Sequence, residues 1–149
     1  MTQLSSSLSA TPISAKTPDQ QGRILVVEDE RHIARFLQYI LSREGYQVVV
    51  EHDAEAALET ARTFCPNAWL LDMVLPGMSG IDLLRILRRE GNGDGPVVII
   101  LSAHWFGQDG EMLREAGANA QCAKPIAPAT LIKKLHNLGI FPATPAGKV

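Results

Sequence analysis

The sequence predicts an α/β fold in which a five-stranded parallel sheet is covered by helices on both faces, giving three α/β/α layers. Short apolar runs of strand length alternate five times with segments of helical periodicity, which is the order expected for such a sheet. Four of the apolar runs also end in polar residues. Ligands and chemistry collect at the carboxyl ends of parallel strands, so this pattern predicts a functional site as well as a fold.

The first two strand–helix units are predicted from sharp local signals. The first strand covers Arg23–Val27, and Gly45 is placed to end the helix after it in a left-handed turn. The second strand is "YQVVV", after which Asp53 can cap a helix that must finish before Pro66. The apolar stripes of the two helices are Ile33, Leu37, Ile40 and Leu41, with Phe36 beside them, and then Ala57, Leu58 and Ala61.

The middle of the chain carries two strongly apolar strands. They are predicted over Ala68–Leu71 and over Val97–Leu101, and the second of them is apolar at every position, as in a strand buried on both faces. Between them, Ser79 and Asp82 resemble a capping box that opens a helix, and "GNGDG" is predicted to be a loop. The buried stripe of this helix is Leu83, Leu84 and Leu87.

The last two helices flank a short fifth strand. The fourth helix is predicted to run through Glu111, Met112 and Leu113 to Ala116 and to stop at Gly117. The fifth strand, Ala120–Ala123, has weak strand propensity, and Pro128 suits the first turn of the final helix. The stripe of the final helix is Leu131, Ile132, Leu135 and Leu138.

Both ends of the chain are predicted to be flexible tails around one domain, residues 23–140. Residues 1–22 have few large apolar side chains, so burial would not offset the entropy lost on ordering them. Residues 141–149 follow a helix stop at Gly139 and contain two prolines and a glycine. We expect no effector domain after residue 140.

Composition argues against several classes of function. Fourteen Lys and Arg against sixteen Asp and Glu give a net charge of −2, which offers no basic footprint for nucleic acid or an anionic membrane. No apolar run approaches the roughly 18 residues of a membrane span, and no secretory signal is visible, so we expect a cytoplasmic protein. Cys65 and Cys122 lack metal-type spacing and are expected to be reduced, in or near the core.

The polar residues at the predicted strand ends could form one phosphoryl-transfer site. Glu28 and Asp29 follow the first strand, Asp72 the third, Ser102 the fourth and Lys124 the fifth. Carboxylates crowded together repel one another and ionise together only if a cation neutralises them. Because all-oxygen ligands favour a hard ion, the carboxylates predict a magnesium site.

These motifs resemble the receiver domain of two-component response regulators over residues 23–140. The likeness rests on the acidic pair, on "DMVLPGMSG" starting at Asp72, on Ser102 with Ala103, and on Lys124 with Pro125. The resemblance implies a flavodoxin-like sheet with strand order 2-1-3-4-5. It also implies that the protein is a signalling domain and not an enzyme beyond its own phosphorylation and dephosphorylation.

The resemblance assigns a role to each acidic residue. Asp72 would be the phosphoacceptor, and Asp29 and Asp72 would bind Mg²⁺ (or Mn²⁺) directly. The backbone carbonyl of Val74 would be a third ligand, and Glu28 would act through water. Val74 also lies beside the expected path of water toward the acyl phosphate, so its side chain would influence the lifetime of that group.

The remaining motif residues would contact the phosphoryl group and report its arrival. Lys124 would place its ammonium on one phosphoryl oxygen, and Ser102 would donate its hydroxyl to another and so move the loop after the fourth strand. The family also implies a cis peptide bond before Pro125.

The chain departs from the family pattern in two places. Gln121 stands where relatives carry the Tyr or Phe that moves with the hydroxyl residue, which puts the usual readout in doubt. His104, Trp105 and Phe106 come shortly after Ser102, in the loop after the fourth strand that the family is expected to move. There His104 would influence the lifetime of the acyl phosphate on Asp72. We expect Trp105 or Phe106 to take over part of the readout or to contact a partner. The alternative is that both rings pack locally under the fourth helix.

The resemblance thus favours a single-domain response regulator that accepts a phosphoryl group from a sensor histidine kinase or phosphotransfer protein. Its output would be binding of a downstream protein or a change in homodimerisation, with no direct contact to nucleic acid or membrane. One alternative is a degenerate receiver that acts as a phosphorylation-independent interaction module. Another is an Asp-nucleophile phosphohydrolase, but such enzymes carry a second Asp where Val74 stands.

Overall fold

The computed structural model describes residues 22–90, 95–103 and 107–143, in which five strands alternate with five helices. The elements are β1 (Arg23–Val27), α1 (Arg31–Arg43), β2 (Gln47–Glu51), α2 (Ala54–Phe64), β3 (Ala68–Asp72), α3 (Gly80–Glu90), β4 (Val97–Ser102), α4 (Gly107–Ala116), β5 (Ala120–Ala123) and α5 (Pro128–Asn137).

The five strands form one parallel sheet in the order β2-β1-β3-β4-β5, which confirms the predicted topology. The register aligns the carboxyl ends of the central strands, with Val27 opposite Leu71 and Asp72 opposite Leu101. Ser102 in turn lies opposite Ala123. Polar residues at or just beyond these strand ends are therefore brought to the same edge of the sheet.

Alternating side chains of the strands build two separate cores, one on each face of the sheet. On one face Val26, Leu70 and Ile99 pack with α1 and α5 through Leu37 and Leu135. On the other face α2, α3 and α4 cover a cluster that contains Leu25, Val27, Trp69, Leu71, Val98, Ile100, Ala57, Leu84 and Leu113. The predicted three-layer arrangement is confirmed, and Trp69 is a core residue with only 1% of its surface exposed.

Local signals for the helix ends act as predicted. The Oδ1 atom of Asp53 accepts a 2.8 Å hydrogen bond from the N–H of Ala56, which caps α2. Gly45 takes a φ of 103° after α1, where only a residue without a Cβ fits at low cost. Pro128 is the first residue of α5, where its missing N–H is no loss.

Three strands differ from the prediction by one residue: β2 covers 47–51 and not 46–50, and β3 and β4 each extend one residue further, to Asp72 and Ser102. Three other details also differ from the sequence prediction. Phe36 lies off the buried stripe of α1 and is 42% exposed, because Ala34, Leu37 and Leu41 occupy the face toward the sheet. Cys65 is exposed, because it ends α2 in a left-handed conformation at the surface, whereas Cys122 is buried as expected; both thiols are free. Helix α4 starts at Gly107, earlier than its few apolar residues indicate.

The described chain ends meet at the edge of the sheet opposite the strand-end carboxylates. The carbonyl of Gly22 accepts a 2.9 Å hydrogen bond from the N–H of Gln47, and the hydroxyl of Tyr46 donates to the carbonyl of Ile140 at 2.7 Å.

The predicted tails lie largely outside the described residues. Within the described ranges, no helix has the length and apolar character needed to cross a bilayer.

Candidate functional site

The site lies beyond the carboxyl ends of β1, β3, β4 and β5. Glu28 follows β1, Asp72 is the last residue of β3, Ser102 is the last of β4, and Lys124 follows β5. Three of these side chains are removed from solvent although they are polar: the exposed fractions are 0% for Glu28, 6% for Asp72 and 4% for Ser102. Buried polar groups require partners, so their environment is informative.

Lys124 joins the two buried carboxylates. Its Nζ atom lies 3.0 Å from Oδ1 of Asp72, to which it donates a hydrogen bond, and 2.9 Å from Oε1 of Glu28. The lysine side chain is itself only 14% exposed, so both ion pairs lie in surroundings where charges interact strongly. The peptide bond between Lys124 and Pro125 is cis, as the resemblance implies.

A third carboxylate completes an acidic cluster. Glu28, Asp29 and Asp72 can each offer one oxygen, and the three oxygens lie within 4.8 Å of one another. Asp29 is exposed, so the cluster opens to solvent on its side. Among the described residues, Oε1 of Glu28 has no partner with good hydrogen-bond geometry, although it forms the ion pair with Lys124. A buried oxygen with unused acceptor capacity, beside two more carboxylates, fits a hard cation.

The electrostatics of the cluster follow from burial and proximity. Burial raises the pKa of Glu28 above the ordinary 4.5, and the negative charge of Asp72 adds to this rise, while Lys124 opposes it. For Lys124, burial favours the neutral amine, but the close contacts of its ammonium with the carboxylates of Glu28 and Asp72 outweigh burial and raise its pKa. The ammonium is therefore retained, and it neutralises only part of the acidic cluster.

The loop after β3 holds Asp72 in place. The N–H of Val74 donates to Oδ1 of Asp72 at 3.3 Å, and the N–H of Gly80 donates to the carbonyl of Met73 at 3.0 Å. A Cβ on Gly80 would lie 2.2 Å from the carbonyl oxygen of Asp72, so only glycine allows α3 to start this close to the strand. Gly77 completes the turn with a φ of 80°.

Other residues singled out from the sequence take distinct places. The side chain of Val74 is exposed, and Gln121 is half-buried in β5. The side-chain nitrogen of Gln121 is buried, and no hydrogen-bond partner for it is found in the described part of the chain. Ser102 ends β4 at the site edge. The predicted roles of His104, Trp105 and Phe106 concern positions outside the described residues.

A contact between the loops that follow β1 and β2 was not predicted from the sequence. Nδ1 of His52 lies 2.9 Å from the carbonyl oxygen of Glu28, and Nε2 of His52 lies 3.2 Å from Nη1 of Arg31. The only sequence signal for this contact is the position of His52 just beyond a strand, at the same edge of the sheet as the carboxylates.

Comparison with known proteins identifies the family. The family model of the response regulator receiver domain matches residues 24–136. This range covers all five strands except the first residue of β1. The chain belongs to the response regulator receiver domain family. Receiver domains are signalling domains of two-component systems.

Curated relatives are response regulators of greater length. The receiver is 36% identical over 114 residues to the DNA-binding response regulator MtrA of Mycobacterium tuberculosis, covering 76% of this chain and 49% of MtrA. It is 38% identical over 117 residues to the uncharacterized transcriptional regulatory protein YkoG of Bacillus subtilis, covering 78% of this chain and 50% of that protein. The chain thus spans about half the length of the curated relatives it matches.

Solved receiver structures share the fold. The Francisella response regulator 1452 receiver domain matches with a TM-score of 0.73 at 28% identity, covering 79% of this chain and 96% of that one. A putative response regulator from Chloroflexus aurantiacus matches with a TM-score of 0.74 at 29% identity, covering 79% and 97%. The chemotaxis response regulator CheY4 of Vibrio cholerae, at 23% identity and a TM-score of 0.74, shows the fold alone.

Proposed function

We propose that this receiver accepts a phosphoryl group on Asp72 from a sensor histidine kinase or a phosphotransfer protein, in the cytoplasm, and that phosphorylation switches its binding to a downstream protein. The observation that carries the proposal is the contact between Lys124 and Asp72 inside a cluster of three carboxylates at the strand ends. A carboxylate meets an anionic phosphoryl donor only where cations offset the repulsion between them.

In the proposed reaction, a side-chain oxygen of Asp72 attacks phosphorus and an O–P bond forms. With a phosphohistidine donor the N–P bond breaks, and the imidazole leaves with the electron pair and takes up a proton. Lys124 stabilises negative charge on the phosphoryl oxygens, because its ammonium already lies within hydrogen-bond distance of Asp72. The hydrogen bond from Val74 N–H keeps the carboxylate oriented at the end of β3.

Glu28, Asp29 and Asp72 would hold a divalent cation, Mg²⁺ or Mn²⁺, and the backbone carbonyl of Val74 would add a ligand. The donor set supports this because it consists of oxygen atoms alone, clustered within 4.8 Å. A bound Mg²⁺ would supply charge neutralisation for both the carboxylates and the incoming phosphoryl group. Glu28, fully buried, would act through water as an outer ligand.

Ser102 is the proposed sensor of the phosphoryl group, since it ends the strand next to Asp72 and lies at the site edge. Gln121 replaces the family's aromatic residue in β5, so the signal would travel by a different contact. We propose that Trp105 or Phe106 carries part of that readout to a partner and that His104, like Val74, tunes the lifetime of the phosphoryl group. Homodimerisation and binding of a separate protein are the two forms the output could take.

The DNA binding named for MtrA belongs to a protein of which this chain matches about half, so we do not carry it over to this chain. With a net charge of −2, the chain carries no overall excess of positive charge that would attract a phosphate backbone. We therefore propose a protein partner as the immediate target, in the manner of a single-domain response regulator.

Intact-mass spectrometry with acetyl phosphate and Mg²⁺ tests the proposal, under conditions that preserve acyl phosphates. The native chain should gain one phosphoryl adduct that requires Mg²⁺, and Asp72→Asn should gain none. Asp82→Asn is a matched control, because Asp82 is an exposed carboxylate in the first turn of α3, and this variant should be labelled like the native chain.

An adduct that persists in Asp72→Asn would contradict the assignment of the acceptor. If the folded native chain gains no adduct from acetyl phosphate or from histidine kinases of the same organism, phosphorylation is not its signal. The interaction-module alternative would then be the better account.

A further inference from the structure

His52 links the two loops that flank the acidic cluster. It lies between β2 and α2, and its ring contacts the loop after β1 and the first residue of α1. Nδ1 is 2.9 Å from the backbone carbonyl oxygen of Glu28, and Nε2 is 3.2 Å from Nη1 of Arg31, the first residue of α1. The ring is half-buried, and it connects Glu28 to the start of the helix after it.

The two partners determine which nitrogen carries the proton. A carbonyl oxygen only accepts hydrogen bonds, so Nδ1 of His52 must be the donor to Glu28. A guanidinium only donates, so Nε2 must be the acceptor for Arg31. Both contacts are satisfied at once by the neutral ring protonated at Nδ1, and the imidazole then acts as a directional bridge.

Glu28 is held on every side by neighbouring backbone and side chains. Its N–H donates to the carbonyl of Glu51 at 3.0 Å, and its carbonyl accepts from His52. One carboxylate oxygen accepts from the N–H of Glu30 at 3.2 Å, and the other forms the ion pair with Lys124. The contacts from Glu51 and His52, which adjoin in sequence, therefore hold the backbone that aims this buried carboxylate into the cluster.

We propose that His52, supported by Arg31, is a positioning residue for the divalent-cation site, which it affects by holding the backbone of Glu28 and the adjoining Asp29. This inference rests on the proposed cation site. His52 touches neither the cation nor the phosphoryl group in this account. Its loss should therefore weaken cation binding through looser placement of Glu28, without removing a ligand.

Two isosteric variants separate the contacts of the ring. The amide of His52→Asn lies near the place of Nδ1 and can still donate to the carbonyl of Glu28, whereas the amide of His52→Gln lies near the place of Nε2. The Mg²⁺ dissociation constant, measured by calorimetry without phosphodonor, should rise about fivefold in His52→Gln and His52→Ala, the effect of one lost hydrogen bond. It should stay within about twofold of the native value in His52→Asn.

Backbone exchange gives a readout that does not involve the cation. Without Mg²⁺, the amide proton of Glu28 should exchange faster with solvent in His52→Gln than in His52→Asn. In His52→Gln the hydrogen bond to the carbonyl of Glu28 is lost, so the backbone of this residue opens more easily. Arg31→Ala should raise the Mg²⁺ dissociation constant about twofold. Arg35→Ala is the matched control, since Arg35 is exposed one turn further along α1, and its variant should bind Mg²⁺ like the native chain.

The outcomes distinguish this inference from the proposed function. If native protein binds Mg²⁺ and Asp29→Asn does not, but His52→Asn and His52→Gln bind it equally well with equal amide exchange, His52 has no positioning role. If native protein itself fails to bind Mg²⁺, the cation site is refuted and the inference falls with it. Should His52→Ala fail to fold, the comparison of the Asn and Gln variants decides alone.

Discussion

At the scale of single residues, Lys124 is the group on which the electrostatics of the site depend. It is the cation that contacts both Glu28 and Asp72, and both carboxylates are almost fully buried. Removing one partner from a buried ion pair leaves an uncompensated charge, which costs more than the pair contributes. The lysine therefore serves the folded structure and the proposed reaction together.

Replacing Lys124 by alanine should slow phosphorylation of Asp72 by acetyl phosphate on the order of 100-fold at saturating Mg²⁺, because a preorganised charge facing the phosphoryl group is lost. The rate of adduct formation by mass spectrometry measures this. Lys133→Ala removes the same charge from an exposed position on α5 and should leave the rate unchanged. Equal rates in native protein and Lys124→Ala would remove Lys124 from the mechanism.

Without metal, the ionisation of Glu28 should lower the free energy of unfolding as the pH rises. An ordinary paired carboxylate has the opposite effect. Its pKa is raised in the folded state by burial and by Asp72, so folded protein binds this proton more tightly than the unfolded chain. Stability from this group is fully present below its ordinary pKa and is lost as the pH rises through its folded-state pKa. Ionised Glu28 therefore destabilises the folded protein, and binding of a cation or a proton relieves this destabilisation.

Glu28→Gln should consequently unfold at a higher temperature than native protein in EDTA at about pH 7.5, and this advantage should shrink as the pH is lowered toward about 5. Calorimetry at both pH values measures the difference. Added Mg²⁺ should stabilise native protein more than the variant. A Glu28→Gln variant that is less stable than native protein at the higher pH would show that Lys124 compensates Glu28 fully.

The convergence of the strand-end residues could be predicted from sequence because parallel strands share one carboxyl edge. Which atoms meet could not be predicted, since the contact of Lys124 with both Glu28 and Asp72 depends on loop conformation. His52 shows the same limit more strongly. Its bridge to Glu28 joins residues 24 positions apart whose own neighbours carry no motif for such a contact.

At the scale of elements, the loop from β3 to α3 is constrained by close packing of backbone on backbone. Gly80→Ala should lower the free energy of unfolding by about 3 kcal/mol or more, because its Cβ would overlap the carbonyl of Asp72 and backbone atoms yield little. Gly77→Ala meets open space but keeps a positive φ, so it should cost only about 1 kcal/mol. Urea unfolding compares the two variants, and equal losses would contradict the packing argument.

Arg88 joins α3 to the segments that border β4 and β5. Its guanidinium donates to the carbonyls of Gly117 and Pro96 at 3.0 and 2.9 Å and to Oδ1 of Asn119 at 2.8 Å. Burial lowers the pKa of Arg88. The planar guanidinium can satisfy three acceptors in fixed directions, which a lysine ammonium on a flexible stem would not reproduce.

Arg88→Ala should therefore lower the free energy of unfolding by about 2–4 kcal/mol, through lost hydrogen bonds and acceptors left without donors. Arg88→Lys should recover only part of this loss. Arg89→Ala, at an exposed neighbouring position of α3, should change stability by less than about 0.5 kcal/mol. Chemical unfolding of the three variants tests the contact, and an Arg88→Ala variant as stable as Arg89→Ala would refute it.

Element boundaries show where periodicity suffices and where it does not. The strands, to within one residue, the cap at Asp53 and the first-turn position of Pro128 follow local rules and agree with the structure. The start of α4 at Gly107 was not predicted, because its first turn contains no apolar residue to mark a stripe. Phe36 was misjudged because its place on the helix lies just outside the arc that Leu37 and Leu41 bury.

At the scale of the whole molecule, the two ends of the parallel strands have different surroundings. The carboxylates and Lys124 lie at the carboxyl edge, while the described chain ends lie at the opposite edge, where Tyr46 contacts Ile140. The two cores on either face hold the strand ends in register, which keeps the site preformed before any donor arrives.

The central claim is that Asp72 carries the phosphoryl group, and borohydride trapping tests it most directly. Borohydride reduces an aspartyl phosphate to homoserine, so native protein treated with acetyl phosphate and Mg²⁺ can be reduced, digested and sequenced by mass spectrometry. We expect homoserine at position 72, dependent on both the donor and Mg²⁺. Homoserine at position 29, hydroxynorvaline (the reduction product of a glutamyl phosphate) at position 28, or no homoserine at 72 in folded protein that carries an adduct would contradict this assignment.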